Sequence, residues 1–129
     1  MLLEMLFSYS VCLSVILEAS KLGCRLFRNN RGLFYTMDGR KVRAGLEADG
    51  ASDLIGFAPI TITPEMVGKT VAVIMVAETK KSAWKKPSGK TEEQQQVFIN
   101  FINQNGGIGF FINDPEQLKK MVDEYKTTL

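Results

Sequence analysis

The chain has 129 residues, 45% hydrophobic and 23% charged, which is typical of one folded domain that needs no disulfide or metal to complete its core. It has no histidine, which excludes a Ser-His-Asp triad, a Cys-His dyad, an HExxH zinc site and a nuclease with a histidine base. Cys12 and Cys24 lack the partners of a zinc site and indicate small core residues in a reducing compartment. Any catalysis therefore depends on carboxylates, on lysine or on a metal that the carboxylates bind.

The net charge is only +2, from 16 Lys and Arg against 14 Asp and Glu, but the basic residues are clustered. Six basic and two acidic residues lie between Gly23 and Glu47, and five basic residues and one acidic residue lie between Glu78 and Lys90. From Thr91 onward the balance reverses, with six acidic residues against three basic ones. If the two basic stretches share a face, that face attracts a polyanion. The alternative is that both are solvated loops that keep the protein soluble.

The first half of the chain predicts one helix, two short strands and several turns. The segment Leu2 to Leu22 lacks Gly and Pro, so we expect a buried helix there. Its uncharged run is too short to span a bilayer and has no basic residues before it, which favours a cytoplasmic protein. Strands are expected at Cys24 to Asn29 and Leu54 to Phe57, and a helical turn at Thr63-Pro64-Glu65. Turns and loops are expected at Asn30, Gly32, Asp38, Gly39 and Gly45 to Ser52.

The second half predicts alternating strands and helices. Thr70 to Ala77 (TVAVIMVA) is apolar and rich in β-branched residues, which predicts a central strand covered on both faces. After a basic loop from Lys81 to Lys90, Thr91-x-x-Gln94 predicts a capping box that starts a helix. A strand at Ile108 to Ile112 and a closing helix from Asp114-Pro115-Glu116 to about Lys126 complete an α/β fold, with a mixed sheet and a single domain over residues 1–129. The buried stripe of the capped helix is expected to contain Val97, Phe98, Phe101 and Ile102.

A charged triplet, Glu78-Thr79-Lys80, follows the predicted central strand. Because side chains alternate along a strand, Glu78 and Lys80 project from one face, roughly 6.5 to 7 Å apart. Asp53 opens the preceding strand and brings a second carboxylate to the same place if the two strands pair. Two carboxylates suit Mg²⁺ or Mn²⁺, and an adjacent lysine suits phosphodiester hydrolysis, in which negative charge gathers on the phosphoryl oxygens. The alternative is an ordinary exposed Glu78 and Lys80 pair, with Asp53 capping a turn.

Six stretches occur in the order found in a known family: RLFRNNRG at 25–32, GASDLIG at 50–56, TITPEMVGK at 61–69, ETK at 78–80, TEEQQ at 91–95 and GG at 106–107. Together they resemble the VRR-NUC (virus-type replication-repair nuclease) domain of the PD-(D/E)XK nuclease superfamily, in particular its small stand-alone phage members. The resemblance covers about Leu17 to Asp114. It implies a restriction-endonuclease-like mixed β-sheet flanked by helices.

The resemblance also implies the metal site and the catalytic group. It assigns Asp53, Glu78 and the carbonyl of Thr79 to a Mg²⁺ or Mn²⁺ ion, and Lys80 as the catalytic lysine. Family members carry a glutamine near the start of the next helix. Spacing back from Gly106-Gly107 favours Gln95, whereas counting from Thr91 favours Gln94, so both are candidates.

The first helix departs from the family pattern. Members usually carry a glutamate close to an Ile-Gln pair, and the stretch Ser10 to Ser14 has neither. Glu4 and Glu18 are the available substitutes, although we expect Glu4 to be solvated and Glu18 to lie on the outer face of the helix. The departure bears on metal affinity and on the number of metals.

The basic residues are predicted to bind DNA. Arg28 and Asn29 lie in the family's RNN motif and are expected to hold a phosphate. Trp84 is expected either to stack on an exposed base or to pack at the sheet edge. We expect a metal-dependent endodeoxyribonuclease that acts as a homodimer on branched DNA, such as a Holliday junction or a flap. The alternative is a non-catalytic, structure-selective DNA-binding module with a degenerate metal site. The residues expected to follow a duplex backbone are Arg43, Lys81, Lys85 and Lys86.

Overall fold

The computed structural model describes residues 2–30, 32–46 and 52–129, with the side chains of the first helix described from Ser10 onward. Most of the predicted loop Gly45 to Ser52, the side chain of Glu4 and Arg31 of the RNN-containing stretch therefore lie outside the described residues. The described chain contains three α-helices and six short strands, which confirms the α/β class. It divides into two compact units, Met1–Ile60 and Thr61–Leu129, each of which is described by itself.

The first unit begins with α1 (Leu2–Lys21), which confirms the predicted helix. The expected burial of this helix is wrong for the part whose side chains are described. From Ser10 to Lys21 only Ala19 is buried, and Leu17 is 66% exposed. Within the described residues, neither α1 nor another helix has the length and apolar character needed to cross a membrane.

Four short strands complete the first unit. β1 (Arg25–Arg28) pairs antiparallel with β4 (Leu54–Phe57), close to the predicted positions of both strands. β2 (Gly32–Tyr35) and β3 (Lys41–Ala44) form an antiparallel hairpin. The sequence did not indicate this hairpin, because its strands are exposed and lack alternation between buried and solvated positions. Gly32, predicted in a turn, is the first residue of β2.

The second unit contains a short 3-10 helix (Pro64–Met66), as the Thr63-Pro64 pattern predicts, followed by a parallel strand pair. β5 (Met75–Thr79) lies beside β6 (Ile108–Ile112), and α2 (Gly89–Gln104) connects them. The strand expected at Thr70 to Ala77 is therefore misplaced, because it begins five residues later and includes Glu78. α3 (Gln117–Thr128) follows β6 and begins just after the predicted start.

The described strands form three two-stranded sheets rather than the single mixed sheet that the sequence predicts. β4 pairs with β1, and β5 pairs with β6. The expected pairing between the strand after Asp53 and the strand of Glu78 is thus not among the described pairings. The sequence also predicts that the apolar run Thr70 to Ala77 is covered on both faces. This is wrong, since Val71, Val73 and Met75 are each at least 40% exposed.

The predicted start and buried face of α2 both need correction. The helix is capped by Ser88 rather than Thr91, so the expected capping box does not form. Its buried residues are Ile99 and Ile102, whereas Val97 is 64% exposed and Phe98 is 41% exposed. Positions 95, 99 and 102 lie on one face of a helix, so the half-buried Gln95 shares the face of these two buried residues.

Two glycines set the connection between α2 and β6. Gly106 has a φ of +87°, which favours glycine, and it ends the helix. A Cβ on Gly107 would lie 2.7 Å from a methyl group of Ile102 and 2.8 Å from one of Ile74. The close approach lets β6 start directly against α2. The buried residues Ile99, Ile102, Ile108 and Phe110 form the core that holds β5, β6 and α2 in place.

Candidate functional site

The end of β5 and the first turns of α2 bring three predicted site residues together. Gln95 donates a hydrogen bond from Nε2 to Oε1 of Glu78, at 3.0 Å. Its Oε1 accepts a hydrogen bond from Nζ of Lys80, at 2.8 Å. The side chains of Glu78 and Lys80 therefore reach the same side of β5, as strand alternation predicts, and a neutral amide separates the two charges.

The geometry distinguishes the two candidate glutamines. Gln94 and Gln95 both line a pocket of about 320 Å³ between β5 and α2. Only Gln95 joins Glu78 to Lys80, because it lies on the helix face that carries Ile99. The side chain of Gln94 is exposed and takes no part in this bridge. The other residues that line the pocket are Val76, Ala77, Glu78, Thr91, Phe98 and Ile99.

Lys80 also forms an ion pair with Glu92, which the sequence did not single out. Nζ of Lys80 lies 2.6 Å from Oε2 of Glu92, and the two side chains are 15% and 16% exposed. The same carboxylate accepts hydrogen bonds from Nε1 of Trp84, at 2.9 Å, and from the backbone N–H of Ser88, at 3.0 Å. The hydrogen bond from Lys80, followed by that from Ser88, holds the pKa of Glu92 below its ordinary value of 4.5.

The basic loop after Lys80 is fixed from two sides. The ring of Trp84 packs on Phe111 with centroids 5.1 Å apart, which favours the packing role of Trp84 over base stacking. Nδ2 of Asn113 donates hydrogen bonds to the backbone carbonyls of Ser82, at 3.1 Å, and Trp84, at 2.8 Å. Gln117 in turn donates to Oδ1 of Asn113, at 2.8 Å. The exposed side chains on this fixed loop include Lys81, Lys85 and Lys86.

The remaining predicted residues belong to the first unit. Asp53 is exposed and immediately precedes β4. Arg28 is the last residue of β1, and Arg43 lies in β3 opposite Leu33. The side chain of Asn29 donates to the carbonyl of Ser52, at 3.0 Å, and accepts from the N–H of Leu46, at 2.8 Å. Asn29 therefore ties the chain together at the end of β1, and its contact with DNA stays a prediction.

Glu18, a possible substitute for the missing family glutamate, lies on the solvent side of α1. Its side chain is 63% exposed and lies 3.7 Å from Nζ of Lys21. This confirms the expected outer position of Glu18.

The second unit offers oxygen atoms of the kind that bind a divalent metal, but it offers few of them at this site. Glu78 uses Oε1 for Gln95, and its Oε2 accepts no hydrogen bond from the described residues. Carboxylate and carbonyl oxygens are the ligands that Mg²⁺ prefers, and Thr79 follows directly with the predicted carbonyl ligand. Among the residues that the structure describes, no three Asp, Glu or Cys side chains come together as a metal-binding group. Asp53 belongs to the first unit, and its role as a ligand stays a prediction.

The sequence analysis did not predict two residues that contact the site, Glu92 and Asn113. The position of each in its element relates it to a predicted site residue. Glu92 precedes Gln95 by three residues and so lies on the same helix face. Asn113 directly follows β6 and Lys80 directly follows β5, so the parallel pairing places both at one edge of the sheet. The backbone N–H of Lys80 donates to the carbonyl of Ile112 at 2.8 Å, which fixes this alignment.

Comparison of the chain with protein-family models, with curated proteins and with solved structures gives no match. The resemblance to the VRR-NUC family therefore rests on the sequence stretches alone.

Proposed function

We propose that the chain is a Mg²⁺- or Mn²⁺-dependent endodeoxyribonuclease of the VRR-NUC type, with a restriction-endonuclease-like fold. Its substrate is structured or branched DNA, such as a junction or a flap, and it acts as a cytoplasmic homodimer in a phage-infected cell. One observation carries the proposal. The amide of Gln95 links the carboxylate of Glu78 to the ammonium of Lys80, at the end of a strand and beside a pocket.

Each residue of this cluster has a role in phosphodiester hydrolysis. A bound divalent ion supplies Lewis acidity and a water of lowered pKa. Glu78 offers the free Oε2 as a ligand atom, with the Thr79 carbonyl and Asp53 as the other predicted ligands. Gln95 and Glu92 each accept one N–H of the Lys80 ammonium, so a third N–H is left for a phosphoryl oxygen or for the attacking water.

The basic loop supports DNA as the substrate. Lys81, Lys85 and Lys86 are exposed on a segment that begins beside Lys80, and lysine contacts to phosphates give binding that depends on salt rather than on base sequence. Arg28 and Arg43 are further predicted phosphate contacts in the first unit.

The test is metal-dependent cleavage of labelled DNA. A four-way junction, a flap and a linear duplex of the same sequence are incubated with Mg²⁺, with Mn²⁺ or with EDTA. We expect Lys80→Ala and Glu78→Gln to abolish cutting while DNA binding in EDTA persists. Lys126→Ala and Glu93→Gln are the matched controls, because both side chains are exposed and carry no proposed role. Asp53→Asn is a separate arm that tests the predicted second ligand.

The three possible outcomes support the nuclease, the non-catalytic module or neither. Cutting by the wild type that Lys80→Ala abolishes supports the nuclease. Binding of the junction in EDTA, with no cutting in either metal, replaces it with the non-catalytic DNA-binding module. Failure to bind any of the DNAs at low salt, where phosphate contacts are strongest, refutes both.

A further inference from the structure

Glu92 binds three positions of the connection between β5 and α2 through one carboxylate. It accepts hydrogen bonds from Lys80 at the end of β5, from Trp84 in the basic loop and from the backbone of Ser88 before α2. Glu92 itself lies in the first turn of α2. The position of the Lys80 ammonium is thereby tied to both the loop and the helix.

The Lys80 and Glu92 pair differs from the other ion pairs of the described residues. Its side chains are 15% and 16% exposed, whereas those of Lys119 and Asp123 are 85% and 52% exposed. Phe111 shields one side, with the centroid of its ring 5.5 Å from Nζ of Lys80. Solvent and salt therefore screen this pair less than a surface pair.

The lysine ammonium is carried on a flexible four-carbon stem, so a second acceptor restricts its position more than one acceptor does. Gln95 is one acceptor, at 2.8 Å, and it sets the position of Nζ relative to Glu78. Glu92 is the second acceptor, at 2.6 Å. With Gln95 alone, the ammonium swings about a single hydrogen bond, and its distance from a bound phosphate is no longer defined.

We propose that Glu92 is a positioning residue for Lys80, which it holds in place for phosphodiester hydrolysis while it anchors the basic loop through Trp84. This inference rests on the proposed nuclease function. Glu92 acts through Lys80 and does not itself contact the substrate.

The test compares Glu92→Gln with Glu93→Gln. Both variants lose one negative charge at adjacent positions of α2, but Glu93 is exposed and has no proposed role. We expect kcat on branched DNA to fall about 10- to 100-fold in Glu92→Gln. An uncharged amide has one acceptor oxygen and cannot accept from Lys80, Trp84 and Ser88 together, and displacement of a catalytic group by about 1 Å has effects of that size. KM for DNA stays within about twofold, because the loop that carries the phosphate-binding lysines is still held by Asn113 and by the packing of Trp84 on Phe111. Glu93→Gln keeps the wild-type kcat.

A second measurement does not depend on catalysis. The rate at which an amine-reactive ester modifies Lys80, followed by mass spectrometry, rises several-fold in Glu92→Gln, while the rate at the exposed Lys81 stays the same. Glu92→Asp keeps the charge but withdraws the carboxylate by one methylene, so both readouts are expected between those of the wild type and Glu92→Gln. Glu92→Asp also replaces Glu92→Gln in both measurements if the latter does not fold.

The possible failures are distinguishable. Wild-type kcat in a folded Glu92 variant, while Lys80→Ala is inactive, overturns the inference and leaves the nuclease in place. An unchanged rate of Lys80 modification also overturns it. A wild type that cuts no DNA overturns the proposed function, and the inference with it.

Discussion

Replacing Gln95 with alanine tests the central contact of the site. The change removes two hydrogen bonds, at 2.8 Å to Lys80 and 3.0 Å to Glu78, and both partners carry a charge. A hydrogen bond to a charged group contributes about 1.5–3 kcal/mol to stability. Both bonds are only partly buried, and Lys80 keeps its bond to Glu92, so the lower end applies. We expect the free energy of unfolding to fall by about 3 kcal/mol for the two bonds together, which is a factor of about 160 in the unfolding constant.

Urea denaturation followed by tryptophan fluorescence measures this loss, because Trp84 is the single tryptophan of the chain and lies beside the site. Gln94→Ala is the matched control. It makes the same change at the neighbouring position, where the glutamine is exposed, and it is expected to cost less than about 0.5 kcal/mol. Equal losses for the two variants would refute the assignment of Gln95 as the bridging residue. In the cleavage assay, Gln95→Ala should likewise lose far more activity than Gln94→Ala.

Three further predictions concern the core, the acid range and DNA binding. Ile102→Ala should lower the free energy of unfolding by about 2–5 kcal/mol in urea denaturation, because Ile102 is fully buried against the start of β6. The pKa of Glu92 lies below its ordinary value of 4.5, so its stabilising contribution is complete above that pH and is lost as pH falls through the lowered pKa. The stability difference between the wild type and Glu92→Gln should therefore shrink as the pH falls from above 4.5 through the lowered pKa. Lys85→Ala combined with Lys86→Ala should reduce the slope of log affinity for DNA against log salt by about 1 to 2, measured by fluorescence anisotropy.

Each of these predictions has an internal control. Val97→Ala lies on the same helix as the core substitution but is 64% exposed, and an equal loss there would contradict the assigned core. Asp38 and Asp123 also have lowered pKa values through hydrogen bonds, but both are present in the two proteins compared, so their contributions cancel. Lys119→Ala with Lys120→Ala removes two adjacent lysines from α3. A similar change in the slope of log affinity against log salt for this variant would contradict a specific role of the basic loop in DNA binding.

The sequence predicted the elements with strong local signals. The helix α1, the strands β4 and β6 and the turn at Thr63-Pro64 were placed within a residue or two, because Gly, Pro and apolar runs mark their limits. The hairpin of β2 and β3 was missed because exposed strands carry no burial pattern. The apolar run from Thr70 predicts a strand throughout, although only its end acquires a partner in β6. Strand pairing depends on distant segments and is not visible in local composition.

The candidate site shows the same division. Alternation along β5 correctly predicted that Glu78 and Lys80 share a side, since this depends on neighbouring residues alone. The choice between Gln94 and Gln95 needed the rotation of α2, and counting from Thr91, which is not the cap of the helix, favoured Gln94. Glu92 was not predicted from the sequence, because its role depends on an ion pair with Lys80, twelve positions earlier in the chain.

The chemistry of the bridge explains why an amide occupies position 95. Oε1 of Gln95 faces the ammonium of Lys80, and its Nε2 faces the carboxylate of Glu78. The reversed orientation would place an N–H group against a cation and an oxygen against an anion, so the two charges fix the amide in one direction. A carboxylate at this position would satisfy Lys80 but repel Glu78, and an ammonium would do the opposite. Only a neutral group with a donor and an acceptor holds both, and it keeps Lys80 from closing directly onto the carboxylate. The Oε2 atom of Glu78 and the third N–H of Lys80 then stay available on the same side of β5, which is the arrangement that the proposed hydrolysis requires.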